Sequence, residues 1–180
     1  TGYVNAYLAE AMPLQLNLGF DLDLGALRMA RQFSPAGAQI GWFCGSAEAV
    51  PLPDASVDHV ICRVALPYCD VATAIAEIAR VLRPDGTTVL LLHPWPHYLR
   101  WLSVRPAHWK QTTMGLVNTG LGLWFNATGH QIHLRMGGRS LGQTFQTVGR
   151  MRRILSQYGM SVYGTAKKPE FGVYARRGGH

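Results

Sequence analysis

Apolar positions at helical spacing over residues 3–12 (YVNAYLAEAM) predict a helix that Pro13 ends. Residues 15–20 (QLNLGF) alternate and predict a short strand, followed by the acidic pair Asp21 and Asp23. Residues 25–33 (GALRMARQF) predict a second helix, and Ser34-Pro35-Ala36-Gly37 a turn. Strands follow at 39–44 (QIGWFC) and 57–62 (VDHVIC), separated by a loop that Pro51 and Pro53 hold open. Asp70 is placed to cap a helix reaching about Leu82, with Ala, Ile and Leu on one face. Arg83-Pro84-Asp85-Gly86 breaks it, and TTVLLLH is the apolar run of a strand buried on both faces.

Strands alternating with helices over residues 1–93 predict an α/β fold with a mostly parallel sheet and right-handed crossovers. Residues 94–140 are less regular and hold four of the five tryptophans, with several glycines and histidines. Residues 144–158 predict a helix with Gly159 as its C-cap. SVYGTA and EFGVYAR flank Lys167-Lys168-Pro169 and predict a closing antiparallel hairpin.

At 180 residues the chain suits one domain, or an incomplete larger one. With 48% apolar and 15% charged residues it carries enough apolar mass for a core, which excludes a disordered tail. Cys44, Cys62 and Cys69 exclude a disulfide scaffold and fit a reducing, cytoplasmic setting. No apolar run approaches the ~20 residues of a spanning helix, and no leader opens the chain. Charge divides unevenly. Residues 1–86 carry five arginines against nine acids, whereas 87–180 carry twelve basic residues against Glu170 alone. That half suits an anionic partner, or is simply a basic surface, since its charges are singles and doublets.

Four segments resemble class I S-adenosylmethionine-dependent methyltransferases of the small-molecule type, those with a methyltransferase type 11-like domain. Gly45 to Pro53 resembles the family's G-D-A-E-x-L-P-F-P loop, and Asp54 to Arg63 its D-x-S-F-D-x-V strand. Glu77 to Gly86 (EIARVLRPDG) resembles E-x-x-R-V-L-K-P-G-G, and GFDLDLGALRMAR resembles G-V-D-x-S-x-x-A-L-x-x-A-R. The resemblance covers residues 1–93 and 144–177. It implies a Rossmann-like sheet and S-adenosyl-L-methionine as cofactor. It also implies that Thr1-Gly2 ends the family's D-x-G-x-G-T-G loop, with the first, mid-sheet strand upstream. The chain is then expected to be a single methyltransferase-like domain incomplete at its N-terminus, with 94–143 as a substrate-cap insertion.

The resemblance assigns the cofactor contacts residue by residue. Thr1 and Gly2 bring backbone N–H groups to the methionine moiety. Asp21, with Leu22 beside it, follows a strand and suits a carboxylate gripping two ribose hydroxyls. Ser46 stands where relatives often place a carboxylate against the adenine amino group, and offers a neutral hydroxyl instead. Ala47 supplies its N–H to adenine, and Arg63 and Val64 face the methionine end. Tyr68 stands where relatives often have histidine, suited to orienting an acceptor or contacting the sulfonium methyl. Methyl transfer is an in-line displacement that depends on alignment and exclusion of water, and a hydroxyl or amine acceptor also needs a base. His93, ending the fifth family strand, is the first candidate, and His97 follows. His130 and His133 form an H-x-x-H, but with no cysteine or carboxylate near, no metal is assigned. Trp95, Tyr98, Trp101, Trp109, Trp124 and Phe125 are candidates to line an apolar acceptor pocket. Arg100, Arg105, Arg135 and Arg139 are candidates to hold a carboxylate or phosphate.

The expected activity is methyl transfer to a small-molecule acceptor, aromatic or anionic. The basic second half keeps an RNA methyltransferase open, although no appended RNA-binding module is evident. Ser46 and the missing glycines keep open an inactive scaffold of the same fold. A nicotinamide oxidoreductase is the weaker rival, because the third- and fourth-strand motifs argue against it.

Overall fold

The computed structural model describes residues 2–11, 14–93, 109–132, 135–136, 139–140, 143–166 and 171–179. The chain divides into two compact units, 1–51 and 52–180.

In the first unit, α1 (Tyr3–Ala11), β1 (Asn17–Asp21), α2 (Leu24–Gln32) and β2 (Ile40–Cys44) follow the predicted order. β1 and β2 pair in parallel, Asn17 opposite Ile40 through Asp21 opposite Cys44. Two asparagines fasten α1 to the sheet. Asn5 Nδ2 donates to Asn17 Oδ1 (2.7 Å) and Leu18 O (2.9 Å), and Asn17 Nδ2 donates back to Asn5 O (2.9 Å). Asp23 caps α2, its Oδ1 accepting from the Gly25 and Ala26 N–H groups. On one side Phe20 and Phe43 stack with centroids 5.2 Å apart. The Trp42 ring lies over Gly19, its opposite number in the ladder: a Cβ there would stand 2.1 Å from Trp42 Cζ3.

In the second unit, β3 (Val57–Arg63), α3 (Val71–Val81), β4 (Leu82–Leu92), α4 (Trp109–Thr128), β5 (Arg135–Met136), β6 (Arg139–Ser140), α5 (Val148–Gln157), β7 (Met160–Ala166) and β8 (Phe171–Arg177) follow. The sheet order is β3-β4-β8-β7, parallel between β3 and β4 and antiparallel beyond, with β5 and β6 a separate antiparallel pair. This is the expected α/β arrangement of parallel crossovers closed by an antiparallel hairpin. Asp70 caps α3 by accepting from the Thr73 N–H (2.8 Å). The apolar face of α3 (Val71, Ala74, Ile75, Ile78) and that of α5 (Met151, Ile154, Leu155) are buried, as are Leu90, Val173 and Ala175 of the sheet. Each large aliphatic so buried contributes about 1.5–3 kcal/mol. Arg177 closes the C-terminal end of α3 by donating to Leu82 O.

Three elements differ from the sequence reading. α5 begins at Val148 and not at 144, because the Thr147 side chain caps it and residues 143–147 spend their polar groups elsewhere. Arg83–Gly86 makes a turn, with Asp85 at φ +63°, but pairing resumes across it and β4 extends back to Leu82. α4, a 20-residue helix, occupies part of the stretch 94–140 that reads as irregular in the sequence. Gly122 is required there, since a Cβ would stand 2.2 Å from the Phe145 ring. No helix among the described residues is long and apolar enough to cross a membrane.

Candidate active site

The first unit gathers Asp21, Leu22, Ser46 and Ala47 at one place, the C-terminal end of β1 and β2. The Gly45 N–H donates to Asp21 O (3.2 Å), continuing the parallel ladder one step past Cys44. The Cys44 thiol donates to Leu22 O (3.7 Å) at the same end, and the Leu22 side chain is 69% exposed. Asp21 is exposed, and one carboxylate oxygen accepts from the Asp23 N–H (3.0 Å). Its other oxygen has no partner among the described residues. Ser46 opens a tight turn in which Ala49 N–H donates to Ser46 O (3.1 Å) and Glu48 N–H to Ser46 Oγ (3.1 Å). The Ala47 N–H, second in that turn, has no acceptor among the described residues. A free carboxylate oxygen, a hydroxyl with one donor to give and a free N–H suit a diol and an amino-substituted ring.

Gly2 is elsewhere in this unit. It sits at φ +73°, and a Cβ would meet Trp42 Cη2 at 2.5 Å and Ala30 Cβ at 2.6 Å. Its lack of a side chain is required by packing. Its carbonyl accepts from the Ala6 N–H (3.1 Å) and starts α1. A cavity of about 190 Å³ lies between α2 and β2, lined by Leu27, Arg28, Arg31, Trp42, Phe43 and others. Asp21 and Ser46 do not line it.

The second unit brings Arg63, Val64, Tyr68 and His93 to the C-terminal ends of β3 and β4. Arg63 pairs with Leu91, and the Val64 N–H donates to Leu91 O (2.9 Å), so His93 stands two residues beyond the last bond between β3 and β4. Val64 is left-handed, φ +55°, which a β-branched residue adopts only under constraint. The chain then turns through a 3₁₀ segment, Leu66–Tyr68, with Leu66 and Pro67 buried and the Tyr68 side chain 54% exposed. Cys62, one residue from the end of β3, has its thiol pushed up to about 11 by burial, opposed by hydrogen bonds from the Ala65 and Leu66 backbone.

The sequence reading missed three amide side chains of this unit. Asn126 of α4 donates to Gly122 O (2.7 Å) and Phe145 O (2.8 Å) and accepts from Thr147 N–H and Oγ1. Asn118 accepts from the Gln143 N–H (2.9 Å). Gln131 reaches the turn itself. None of these stands in a motif, and their partners lie up to 62 residues away in sequence. Phe125 is 2% exposed with Arg150 6.0 Å over its ring, so it belongs to the core, whereas Trp124 is exposed. His130 follows Gly129 (φ +87°) past the end of α4 and is not part of a helix. Thr1, His97, His133, Trp95, Tyr98, Trp101, Arg100 and Arg105 lie outside the described residues, as do the side chains of Trp109, Arg135 and Arg139.

A family model described as a methyltransferase domain matches residues 1–90. The chain is 39% identical over 87 residues to a malonyl-[acyl-carrier protein] O-methyltransferase of Methylococcus capsulatus, 48% of this chain and 32% of that enzyme. It is 37% identical over 87 residues to the biotin biosynthesis bifunctional protein BioHC of Cellvibrio japonicus, 16% of whose length is covered. The chain thus matches a third or less of these curated relatives. Among solved structures it resembles a chain of the complex between the Haloferax volcanii Trm112 methyltransferase activator and a methyltransferase (TM-score 0.71, 16% identity, 99% of this chain and 78% of that one). It also resembles magnesium protoporphyrin IX methyltransferase from Synechocystis, solved with bound SAH (TM-score 0.60, 16% identity, 98% of this chain and 69% of that one).

Proposed function

Because the chain belongs to the methyltransferase domain family, we propose that it transfers a methyl group from S-adenosyl-L-methionine to a small anionic acceptor. When bound, the cofactor supplies a methyl group made electrophilic by its sulfonium. Asp21 grips the ribose diol through its free carboxylate oxygen, with Leu22 against the sugar. Ser46 and the Ala47 N–H take the edge of the adenine ring, and Gly2, Arg63 and Val64 serve the methionine end. Tyr68 orients the acceptor at the strand ends. His93 accepts a proton at a ring nitrogen when the acceptor is a hydroxyl or amine, and donates a hydrogen bond when it is already a carboxylate.

The observation that carries this reading is the grouping of Asp21, Ser46 and Ala47 at one strand end inside the stretch the family model matches. A carboxylate acceptor is favoured by the surplus of basic residues after position 86 and by the malonyl-[acyl-carrier protein] relatives. The test uses S-adenosyl-L-methionine labelled in its methyl group, with malonyl-coenzyme A as the acceptor probe. Label in a malonyl methyl ester supports the reading. Label in added RNA instead moves the activity to nucleic acid, which the basic second half also suits.

A further inference from the structure

We infer that Gln131 and Thr144 act as a latch that positions Tyr68. This deepens the reading above, on which Tyr68 faces the acceptor. The Tyr68 side chain is 54% exposed, yet the carbonyls on both sides of it are gripped by residues far along the chain. Pro67 O accepts from the Thr144 N–H (3.4 Å), and Cys69 O accepts from Gln131 Nε2 (2.8 Å). The same Nε2 donates to Thr144 Oγ1 (3.1 Å), which joins the two grips into one. Gln131 Oε1 accepts from the Val71 N–H (2.9 Å), the first helical N–H of α3 and one that helix geometry leaves unpaired.

One primary amide therefore ties three places together: the turn carrying Tyr68, the start of α3 and the segment leading into α5. Thr144 is itself held. It is 2% exposed, and its carbonyl accepts from Gln146 Nε2 (2.5 Å), a side chain 1% exposed. An exposed aromatic on a backbone fixed from both sides is what an alignment-dependent reaction requires, since rotamer freedom is retained while the Cα cannot drift. Leu66 and Pro67 are buried already, so the turn does not need these bonds to find its place in the core. They set the tyrosine's position about that anchor. Gln131 is a positioning residue and touches no reacting atom.

The test uses the full chain with 3-fluorotyrosine at all seven tyrosines and fluorine NMR, the Tyr68 line being assigned by Tyr68→Phe. Gln131→Ala should shift or broaden the Tyr68 line beyond its linewidth and leave the lines of Tyr3, Tyr7, Tyr163 and Tyr174 in place. Gln131→Glu keeps the acceptor for Val71 N–H and loses the donors, and should move the Tyr68 line as well. A Tyr68 line unmoved in Gln131→Ala overturns the latch. Should Gln131→Ala lose all dispersed lines, Gln131→Glu and Thr144→Val decide, and an unmoved line in both overturns it. S-adenosylhomocysteine titrated into the wild-type chain separates the two claims. Absence of binding there fails the methyl-transfer reading, while the Tyr68 line still decides the latch.

Discussion

The Val64 N–H donates to Leu91 O at 2.9 Å while Val64 holds φ at +55°. The bond extends the parallel ladder to the last residue before the turn, and the left-handed conformation redirects the chain toward Tyr68. A left-handed β-branched residue costs roughly 1–2 kcal/mol, so the surrounding structure imposes it. Val64→Gly should leave stability within about 1 kcal/mol of wild type, the relieved strain offsetting lost packing and added chain entropy. Val81→Gly, in the buried end of α3, should cost more than about 3 kcal/mol. Urea midpoints of the two variants measure the contrast, and equal losses would contradict it.

Cys62 gives the chain an alkaline weakness. Its folded thiol is held up to about 11 against an ordinary 9.0. Between those values the unfolded chain releases the proton and the folded chain keeps it, so stability falls as pH rises through that window. Two pH units correspond to roughly 2–3 kcal/mol. The urea midpoint should therefore drop between about pH 8 and about pH 10.5, and Cys62→Ala should flatten that drop whatever it costs at pH 8. In the native chain at pH 8, Cys44, which is exposed, should react with a thiol reagent well before Cys62.

Arg80, in the last turn of α3, and Arg83, at the start of β4, differ in what they hold. Arg80 donates from Nε and one terminal nitrogen to both oxygens of Glu77, and from the other to Asp54 (2.7 Å) and Leu52 O (2.8 Å). Hydrogen bonds to Glu77 first and to Asp54 second raise its pKa further above the ordinary range. Arg83 meets, among the described residues, only the exposed Asp58. A lysine cannot reproduce the fork. Arg80→Lys should lower the melting temperature more than Arg83→Lys, and the reverse order would show that Arg80's hub does not organise the loop before β3.

The Trp42 ring over Gly19 makes the first unit intolerant of a methyl group. Gly19→Ala forces Cβ into the ring and should destabilise by about 1–3 kcal/mol. Gly37→Ala, with nothing near its Cβ, carries only the penalty of its φ of +84°. Gly19→Ala combined with Trp42→Leu should recover part of the loss, and additivity in that cycle would contradict the clash.

What was legible in the sequence was what local periodicity and capping encode. Asp70 marks a helix start because a carboxylate before an apolar period satisfies free N–H groups, and it does so. The parallel order followed from strands alternating with helices. α4 was not legible because Gly115, Gly120 and Gly122 erase the helical pattern, and one of them, Gly122, is demanded by a tertiary contact, the Phe145 ring. The start of α5 was misplaced because Thr144 and Gln146 fit a helix by composition, but Thr144 bonds outward to Pro67 O and Gln131 while Gln146 bonds back onto Thr144. That Asp21 and His93 stand at strand ends was readable from the strands predicted before them, and Ser46 from the loop motif after the next strand. Gln131 was not, since a lone glutamine whose partners lie 60 and 62 residues away leaves no local signature.

The central claim is cofactor recognition by Asp21 at the end of β1, and calorimetric titration of S-adenosylhomocysteine into the 180-residue chain tests it most directly. The account predicts saturable one-to-one binding that Asp21→Asn weakens by about tenfold to a hundredfold, the worth of a charge-assisted hydrogen bond to the ribose. Binding of equal strength in both proteins, or no heat in either, would contradict it.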